Sequence, residues 1–223
     1  MDKILVTGSS GFIGTQVVNR LARSQIITDS SKCKDLRVRD QVTNIDSADI
    51  VIHLGGKTPQ EELKWSEYFD SNVSGTLNVL EYCMQKKVKK MIYVSSYVYG
   101  RPEYCPINED HSINPHNVYT ESKYLGERLC QFYCKQSDLE LIILRPFNIF
   151  GECMRKGFLI SNLIERDTLW AGDLLDSSAE NIYNDWLKRT QSLTYIFGEE
   201  IQKMKDDLNE NLLVREGQHP HLL

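Results

Sequence analysis

The sequence predicts an α/β fold with a doubly wound parallel sheet, followed by a short helical C-terminal region. The first observation is that short runs rich in Ile, Val and Leu alternate with longer amphipathic segments up to about residue 145. Such runs are typical of parallel strands that helices cover on both faces. The second is a glycine-rich turn directly after the first run, and the third is an apolar stripe of helical period near the C-terminus.

Each short apolar run is assigned to a strand and each longer amphipathic segment to a helix. The predicted strands are residues 3–7, 25–29, 33–38, 49–54, 90–95 and 140–145. The predicted helices are residues 12–23, 67–86 and 118–135. Strands and helices alternate, which is the order that builds a parallel sheet.

The charges divide the chain into two parts. Of 26 basic and 31 acidic side chains, which give a net charge of −5, residues 1–151 hold 18 of each sign, and residues 152–223 hold 8 basic and 13 acidic ones. The break falls just after Gly151 and indicates two parts of different character.

Composition also excludes some classes of partner. The sequence has no long basic run for nucleic acid and no apolar run near the ~18 residues of a membrane helix. The six cysteines are scattered without a Cys-x-x-Cys pair, so we expect them to be reduced and to bind no metal. The expectation is a cytoplasmic protein without nucleic-acid or membrane partners.

The tail carries apolar residues at intervals of three and four, which predicts a helix. This stripe either covers an edge of the sheet or pairs with a second subunit in a homodimer. Its residues are Ile182, Trp186, Thr190, Leu193, Phe197, Ile201, Met204 and Leu208.

The glycine-rich turn directly follows the first strand and opens the first helix, as in a Rossmann-type dinucleotide site. Gly8 allows the tight turn, Gly11 lets a pyrophosphate approach the backbone, and Gly14 lets the helix pack close to the strand. The predicted cofactor contacts of this turn are Gly8, Ser10, Gly11, Phe12, Ile13 and Gly14.

An acidic residue at the end of the second strand favours NAD over NADP, since it binds the ribose hydroxyls and repels a 2′-phosphate. Asp29 stands at that point, 15 residues after Gly14 instead of the usual ~20. Asp35, followed by Leu36, is a second candidate for contact with the adenine. Either acid is alternatively a solvated loop residue.

Tyr119 and Lys123 lie four residues apart in a predicted helix and therefore share one face. A nearby ammonium group lowers the pKa of a phenol, which predicts that Tyr119 is a proton shuttle. Ser95 and Ser96 close a predicted parallel strand, and ligands bind at the carboxyl ends of such strands.

Six motifs follow one another along the chain: Thr7-Gly8-x-x-Gly11-x-x-Gly14, His53-Leu54-Gly55-Gly56, Asn72-Val73-x-Gly75-Thr76, Ser95-Ser96-x-Val98-Tyr99-Gly100, Tyr119-x-x-x-Lys123 and Arg145-Pro146-Phe147-Asn148-Ile149-Phe150-Gly151. Their order resembles that of extended short-chain dehydrogenases/reductases, and more narrowly the NAD-dependent nucleotide-sugar epimerase/dehydratase family. The resemblance covers residues 1 to about 165, which implies a domain over residues 1–165 and a helical tail over residues 166–223.

The resemblance implies roles for the matching residues. Tyr119 would be the catalytic acid/base and Lys123 would bind the nicotinamide ribose. Ser95, with Ser96 as the alternative, would bind the reacting sugar oxygen, and Asn148 the diphosphate side of the substrate. Asn72 would support the site through helix contacts.

A further segment would contact the cofactor, with Lys57 either reaching its phosphates or remaining solvated. Glycines stand here at the two positions where the family usually has alanines. The segment is Leu54, Gly55, Gly56 and Lys57.

One departure from the family separates two reactions. The 4,6-dehydratases of the group follow the catalytic hydroxyl residue with an Asp-Glu pair, whereas Ser96-Tyr97 follow Ser95 here. The resemblance therefore implies an NAD-dependent epimerase of a nucleoside-diphosphate sugar. The alternatives are a truncated, non-catalytic dinucleotide-binding protein and a reductase or dehydratase of the same family.

Overall fold

The structure, a computed structural model, describes residues 2–21, 25–29, 33, 35–59, 63–104, 106–149, 151 and 154. The chain divides into two compact units, Met1–Asn148 and Ile149–Leu223. Almost all described residues belong to the first unit. The predicted tail stripe and the predicted boundary at residues 165/166 lie outside the described residues.

The first unit is built on a five-stranded parallel sheet. Its strands lie in the order β2-β1-β3-β4-β5. They are β1 Lys3–Thr7, β2 Gln25–Thr28, β3 Ile50–His53, β4 Lys90–Val94 and β5 Glu140–Leu144. The predicted doubly wound α/β class is therefore confirmed.

At their described residues, the connecting segments contain five α-helices and one π-helical turn. They are α1 Phe12–Arg20, α2 Arg39–Thr43, α3 Trp65–Phe69, the π-turn Asp70–Ser74, α4 Gly75–Lys86 and α5 Val118–Lys135. The bounds predicted for α5 are those observed. The helix predicted over residues 67–86 begins two residues earlier and contains the π-turn, a feature that is frequent at functional sites.

The strand predicted over residues 33–38 is wrong. At the described positions of this stretch the chain turns, with the Val38 amide donating to the Asp35 carbonyl at 3.1 Å. The Asp35 carboxylate also accepts from the Arg37 amide at 2.9 Å. A short acidic side chain that bonds to the backbone two residues on favours a turn over a strand.

The central strands are buried on both faces. Ile4, Leu5 and Val6 are consecutive and all buried, and Val51 and Met91 pair at the centre of the sheet. Burial of consecutive side chains explains why these strands read as continuous apolar runs instead of alternating ones. No described helix is long and apolar enough to cross a membrane.

Candidate active site

The carboxyl ends of four adjacent strands meet at one edge of the sheet. The chain leaves β1 at Gly8, β3 at Leu54, β4 at Ser95 and β5 at Arg145. Parallel α/β sheets bind ligands at this edge. The fold thus brings together segments that lie up to about 140 residues apart in sequence.

The glycine turn has the geometry that the sequence predicts. Gly8 has a φ of +69°, and a Cβ there would lie 2.7 Å from the Gly55 nitrogen. A Cβ on Gly14 would collide with the Gly8 carbonyl oxygen. Side chains are therefore excluded at both positions, which brings the start of α1 against the end of β1.

The N-terminus of α1 is open to an anion. Its N-cap is Gly11, with no side-chain cap and no acidic residue in the first turn. Ser10, Phe12 and Ile13 lie at this end of the helix. Uncapped amides and the helix dipole favour a phosphate here.

Asp29 holds the glycine turn. Its carboxylate accepts from the Gly8 amide at 2.6 Å, the Ser9 hydroxyl at 2.6 Å and the Ser9 amide at 3.3 Å. The predicted position at the end of β2 is thus occupied by an acid that contacts the phosphate-binding turn itself. Contact with the ribose stays a prediction.

Asp35 is committed to an ion pair. It binds the Arg37 guanidinium through both oxygens, at 2.7 to 3.1 Å, and this hydrogen bonding lowers the pKa of the carboxyl. Leu36 turns inward, and its side chain lies where a Cβ on Gly55 would stand. The missing side chain at residue 55 therefore makes room for Leu36.

Asn72, in the π-turn, joins the segment after β3, at Lys57, to α5. The side-chain oxygen of Asn72 accepts from the Lys57 backbone N–H at 2.7 Å. Its side-chain NH2 group donates to the Lys57 carbonyl at 3.1 Å and to the Ser122 hydroxyl at 2.9 Å. A Cβ on Gly56 would lie 2.6 Å from the Asn72 Oδ1. Glycine at residue 56 thus allows the Asn72 side chain to reach the backbone of Lys57.

His53 connects β1, β3 and α4 through a chain of hydrogen bonds. Thr76 donates to the Asn72 carbonyl at 2.6 Å, so its oxygen accepts from His53 Nε2 at 2.9 Å. His53 Nδ1 then accepts from the Thr7 hydroxyl at 2.6 Å. Burial lowers the pKa of His53 to about 3, which keeps the ring neutral in this tautomer.

Tyr119 and Lys123 share the buried face of α5, as predicted. The helix begins at an Asn117 cap, whose side chain accepts from the Thr120 amide at 2.9 Å. Lys123 Nζ lies 4.5 Å from the centre of the Tyr93 ring. Burial lowers the pKa of Lys123 to about 8.

The predicted lowering of the Tyr119 pKa by Lys123 is wrong. Burial raises the pKa of Tyr119, while an interaction with the Ser96 side chain opposes the rise. The ring of Tyr68 packs edge-on at 6.2 Å between centroids. Desolvation is therefore the largest influence on this phenol, the Tyr68 phenol adds to the rise, and no lowering by the Lys123 ammonium group is seen.

Ser95 directly follows β4, where its amide donates to the Leu144 carbonyl at 2.7 Å. Its side chain is buried, and the hydroxyl makes no hydrogen bond within the described part of the chain. A buried hydroxyl without a partner needs an explanation, and a ligand bound at this edge of the sheet would supply the missing hydrogen bond. Asn148, beyond β5, is exposed.

Two groups of this site were missed by sequence reasoning. His53 had no assigned role, and Glu127, which forms an ion pair with Arg145 at 2.7 Å, was not singled out. Glu127 lies one helical turn after Lys123, so the signal in the sequence is a second charged residue on the helix face that carries Lys123. His53 closes an otherwise apolar strand, where a polar residue needs buried partners.

Comparison with known proteins gives one consistent group. Residues 4–171 match the family described as "NAD dependent epimerase/dehydratase family". A putative UDP-glucose 4-epimerase of Methanocaldococcus jannaschii is 31% identical over 175 residues, which span 67% of this chain and 56% of the relative. The chain spans about half the length of the curated relatives it matches.

Solved structures agree with this match. A UDP-galactose 4-epimerase superposes with a TM-score of 0.66 at 27% identity, covering 74% of this chain and 62% of the other. RMD from Pseudomonas aeruginosa, complexed with NADPH, superposes with a TM-score of 0.69 at 28% identity, covering 74% and 61%.

Proposed function

Because the chain belongs to the NAD-dependent epimerase/dehydratase family, we propose that it is an NAD-dependent epimerase of a nucleoside-diphosphate sugar. The observation that carries this proposal is the buried, unpartnered Ser95 hydroxyl at the end of β4, where the adjacent Ser96 interacts with Tyr119 and the Tyr93 ring contacts Lys123. Relatives with the names UDP-glucose 4-epimerase and UDP-galactose 4-epimerase favour a UDP-sugar and its 4-carbon.

The residues of the site fit the cofactor. The N-terminus of α1, which has no side-chain cap, suits a pyrophosphate. Gly8, Gly14 and Gly55 pack closely and have no side chains that would keep a pyrophosphate from the backbone. Asp29 would exclude a 2′-phosphate. NAD, when bound, would accept a hydride from the sugar and return it.

The chain's own residues would handle the proton and the orientation of the sugar. Tyr119 would take the proton of the sugar hydroxyl as the phenolate and give it back as the phenol. Burial raises the pKa of Tyr119, which favours the phenol, the form that donates. Ser95 would hold the same oxygen. Lys123 would bind the nicotinamide ribose, and Asn148 the diphosphate side of the substrate.

The test is conversion of UDP-glucose to UDP-galactose by the full chain, followed by NMR of the sugar protons. Tyr119→Phe should lose the conversion and still bind NAD. Tyr133→Phe, on the same helix but away from the site, is the matched control and should keep it. Conversion by the Tyr119→Phe variant at the native rate would reject the role of Tyr119.

A dinucleotide-binding protein without turnover is the second candidate, and a reductase of the same family is the third. Mass spectrometry of the purified protein separates them, since an epimerase retains its cofactor through turnover. Retained NAD without conversion of any UDP-sugar supports the binding protein. Net oxidation of added NADH or NADPH, together with reduction of an added carbonyl substrate, supports the reductase.

We propose a cytoplasmic location for the same protein, supported by the free thiols of Cys33, Cys83, Cys130 and Cys134. The homodimer predicted from the tail is also kept as a proposal. Light scattering of the purified chain measures it.

A further inference from the structure

A second charged residue is buried on the same face of α5 as Lys123. Glu127 follows Lys123 by one helical turn, and both side chains are buried, at 0% and 5% exposure. Side chains four residues apart on a helix are within reach of each other. An ammonium and a carboxylate so placed would form an ion pair if nothing else engaged the carboxylate.

Arg145 engages it. The guanidinium donates from Nε to Glu127 Oε1 at 3.0 Å and Oε2 at 3.2 Å, and from Nη2 to Oε2 at 2.7 Å. Its Nη1 donates to the Tyr99 hydroxyl at 3.1 Å. Within the described part of the chain, Lys123 and Glu127 form no ion pair, and the Lys123 ammonium lies over the Tyr93 ring instead.

Every other titratable group that faces Lys123 is neutral at neutral pH. Burial lowers the pKa of His53 to about 3, and burial raises the pKa of the Tyr119 and Tyr93 phenols and of the Cys130 thiol. Among the described groups around Lys123, Glu127 is the carboxylate whose attraction raises the pKa of Lys123 against the effect of burial. The groups that interact with Lys123 are Glu127 and Cys130 from α5, Tyr93 from β4 and His53 from β3, and Tyr119 lies one turn before Lys123 on α5.

We propose that Arg145 is a positioning residue, which occupies both oxygens of Glu127 and so leaves the Lys123 ammonium free for the nicotinamide ribose. The part of this inference that concerns the ribose rests on the proposed function. The part that concerns Lys123 and Glu127 stands on the geometry of the cofactor-free chain. Arg145 directly follows β5, so the pairing also fixes the end of the strand that leads to Asn148.

The experiment removes one charge and then both. In Arg145→Met the Glu127 carboxylate loses its partner, and we expect it to pair with Lys123. The Lys123 titration, followed by NMR of the full chain with 13Cε-labelled lysine and no NAD, should then move to higher pH. The resonance is identified by its loss in Lys123→Met. The affinity for NAD, measured by calorimetry, should fall about tenfold or more.

The double variant Glu127→Gln plus Arg145→Met carries neither charge. We expect its Lys123 titration and NAD affinity to return to those of Glu127→Gln alone, in which no carboxylate competes for Lys123. If Arg145 is only a structural support, the double variant will bind NAD as weakly as Arg145→Met or more weakly, which overturns the proposal. An unmoved Lys123 titration in Arg145→Met also overturns it.

Loss of a buried ion-pair partner can prevent folding. If Arg145→Met does not fold, Glu127→Gln and the double variant are compared directly, because neither leaves an unpaired carboxylate and the glutamine still offers an oxygen to the Arg145 guanidinium. Equal NAD affinity in the two supports the proposal, and weaker binding in the double variant overturns it. The Lys123 titration needs no cofactor, so it separates failure of this inference from failure of the proposed function.

Discussion

Asp29 is the residue whose replacement best separates a structural role from a purely cofactor-binding one. In Asp29→Ala the Gly8 amide and the Ser9 hydroxyl each lose a 2.6 Å bond to a carboxylate. Hydrogen bonds to charged groups contribute about 1.5–3 kcal/mol each. Water can replace part of the loss at the half-buried Gly8, so we expect the free energy of unfolding to fall by roughly 2–4 kcal/mol in the absence of NAD.

The measurement is urea denaturation of the cofactor-free chain, followed by far-UV circular dichroism. Asp29→Asn keeps an acceptor for the Gly8 amide and loses the charge, so its loss should be smaller. Asp35→Ala is the matched control, because its ion pair with Arg37 is exposed and contributes about 0–1 kcal/mol.

A second measurement on the same variants is the affinity for NAD and NADP. A loosened turn should weaken the binding of both cofactors. Removal of the negative charge should offset part of this loss for NADP alone. Unfolding of Asp29→Ala at the same urea concentration as the native chain would show that the Asp29 carboxylate does not stabilise the glycine turn. Asp29 would then act on the ribose alone.

Three other predictions follow from the site. Tyr119→Phe should lower kcat of the UDP-sugar epimerisation by about 10²- to 10⁴-fold with little change in NAD affinity; native turnover in this variant would contradict the acid/base role. Gly56→Ala should weaken NAD binding and lower the melting temperature, since its Cβ would press on Asn72 Oδ1 at 2.6 Å; calorimetry measures both, and an unchanged variant would show that Asn72 is free to move. The pKa of His53 is about 3 in the folded chain and about 6.5 when unfolded, so the unfolded chain binds the extra proton and stability should fall as the pH drops from about 6.5 toward 3. Urea denaturation at pH 7, 6 and 5 should show that the free energy of unfolding of the native chain falls by up to about 1.4 kcal/mol per pH unit more than that of His53→Asn. An equal pH dependence of the unfolding free energy in the two chains would contradict this prediction.

Prediction from sequence failed where a local pattern was too short or a side chain bonded to the backbone. The five residues of α2 are fewer than two helical turns, so they show no measurable period. The stretch from Asp35 to Val38 has apolar residues at alternate positions, yet the Asp35 carboxylate bonds to the Arg37 amide and the chain turns. The π-turn at Asp70–Ser74 adds one residue per turn inside a segment that otherwise reads as one helix.

The sequence by itself determined the class of the fold and the positions of the glycine turn, Tyr119, Lys123 and Ser95. These depend on the order of apolar runs, on backbone conformations that need glycine, and on spacing within one helix, all of which are local. Tertiary structure alone decided which groups surround Lys123. Glu127 and Arg145 lie 18 residues apart in sequence, and Asn72 and Ser122 lie 50 apart. Their contacts, and the burial that raises the pKa of Tyr119, arise when separate elements pack and exclude water, so no local pattern in the chain records them.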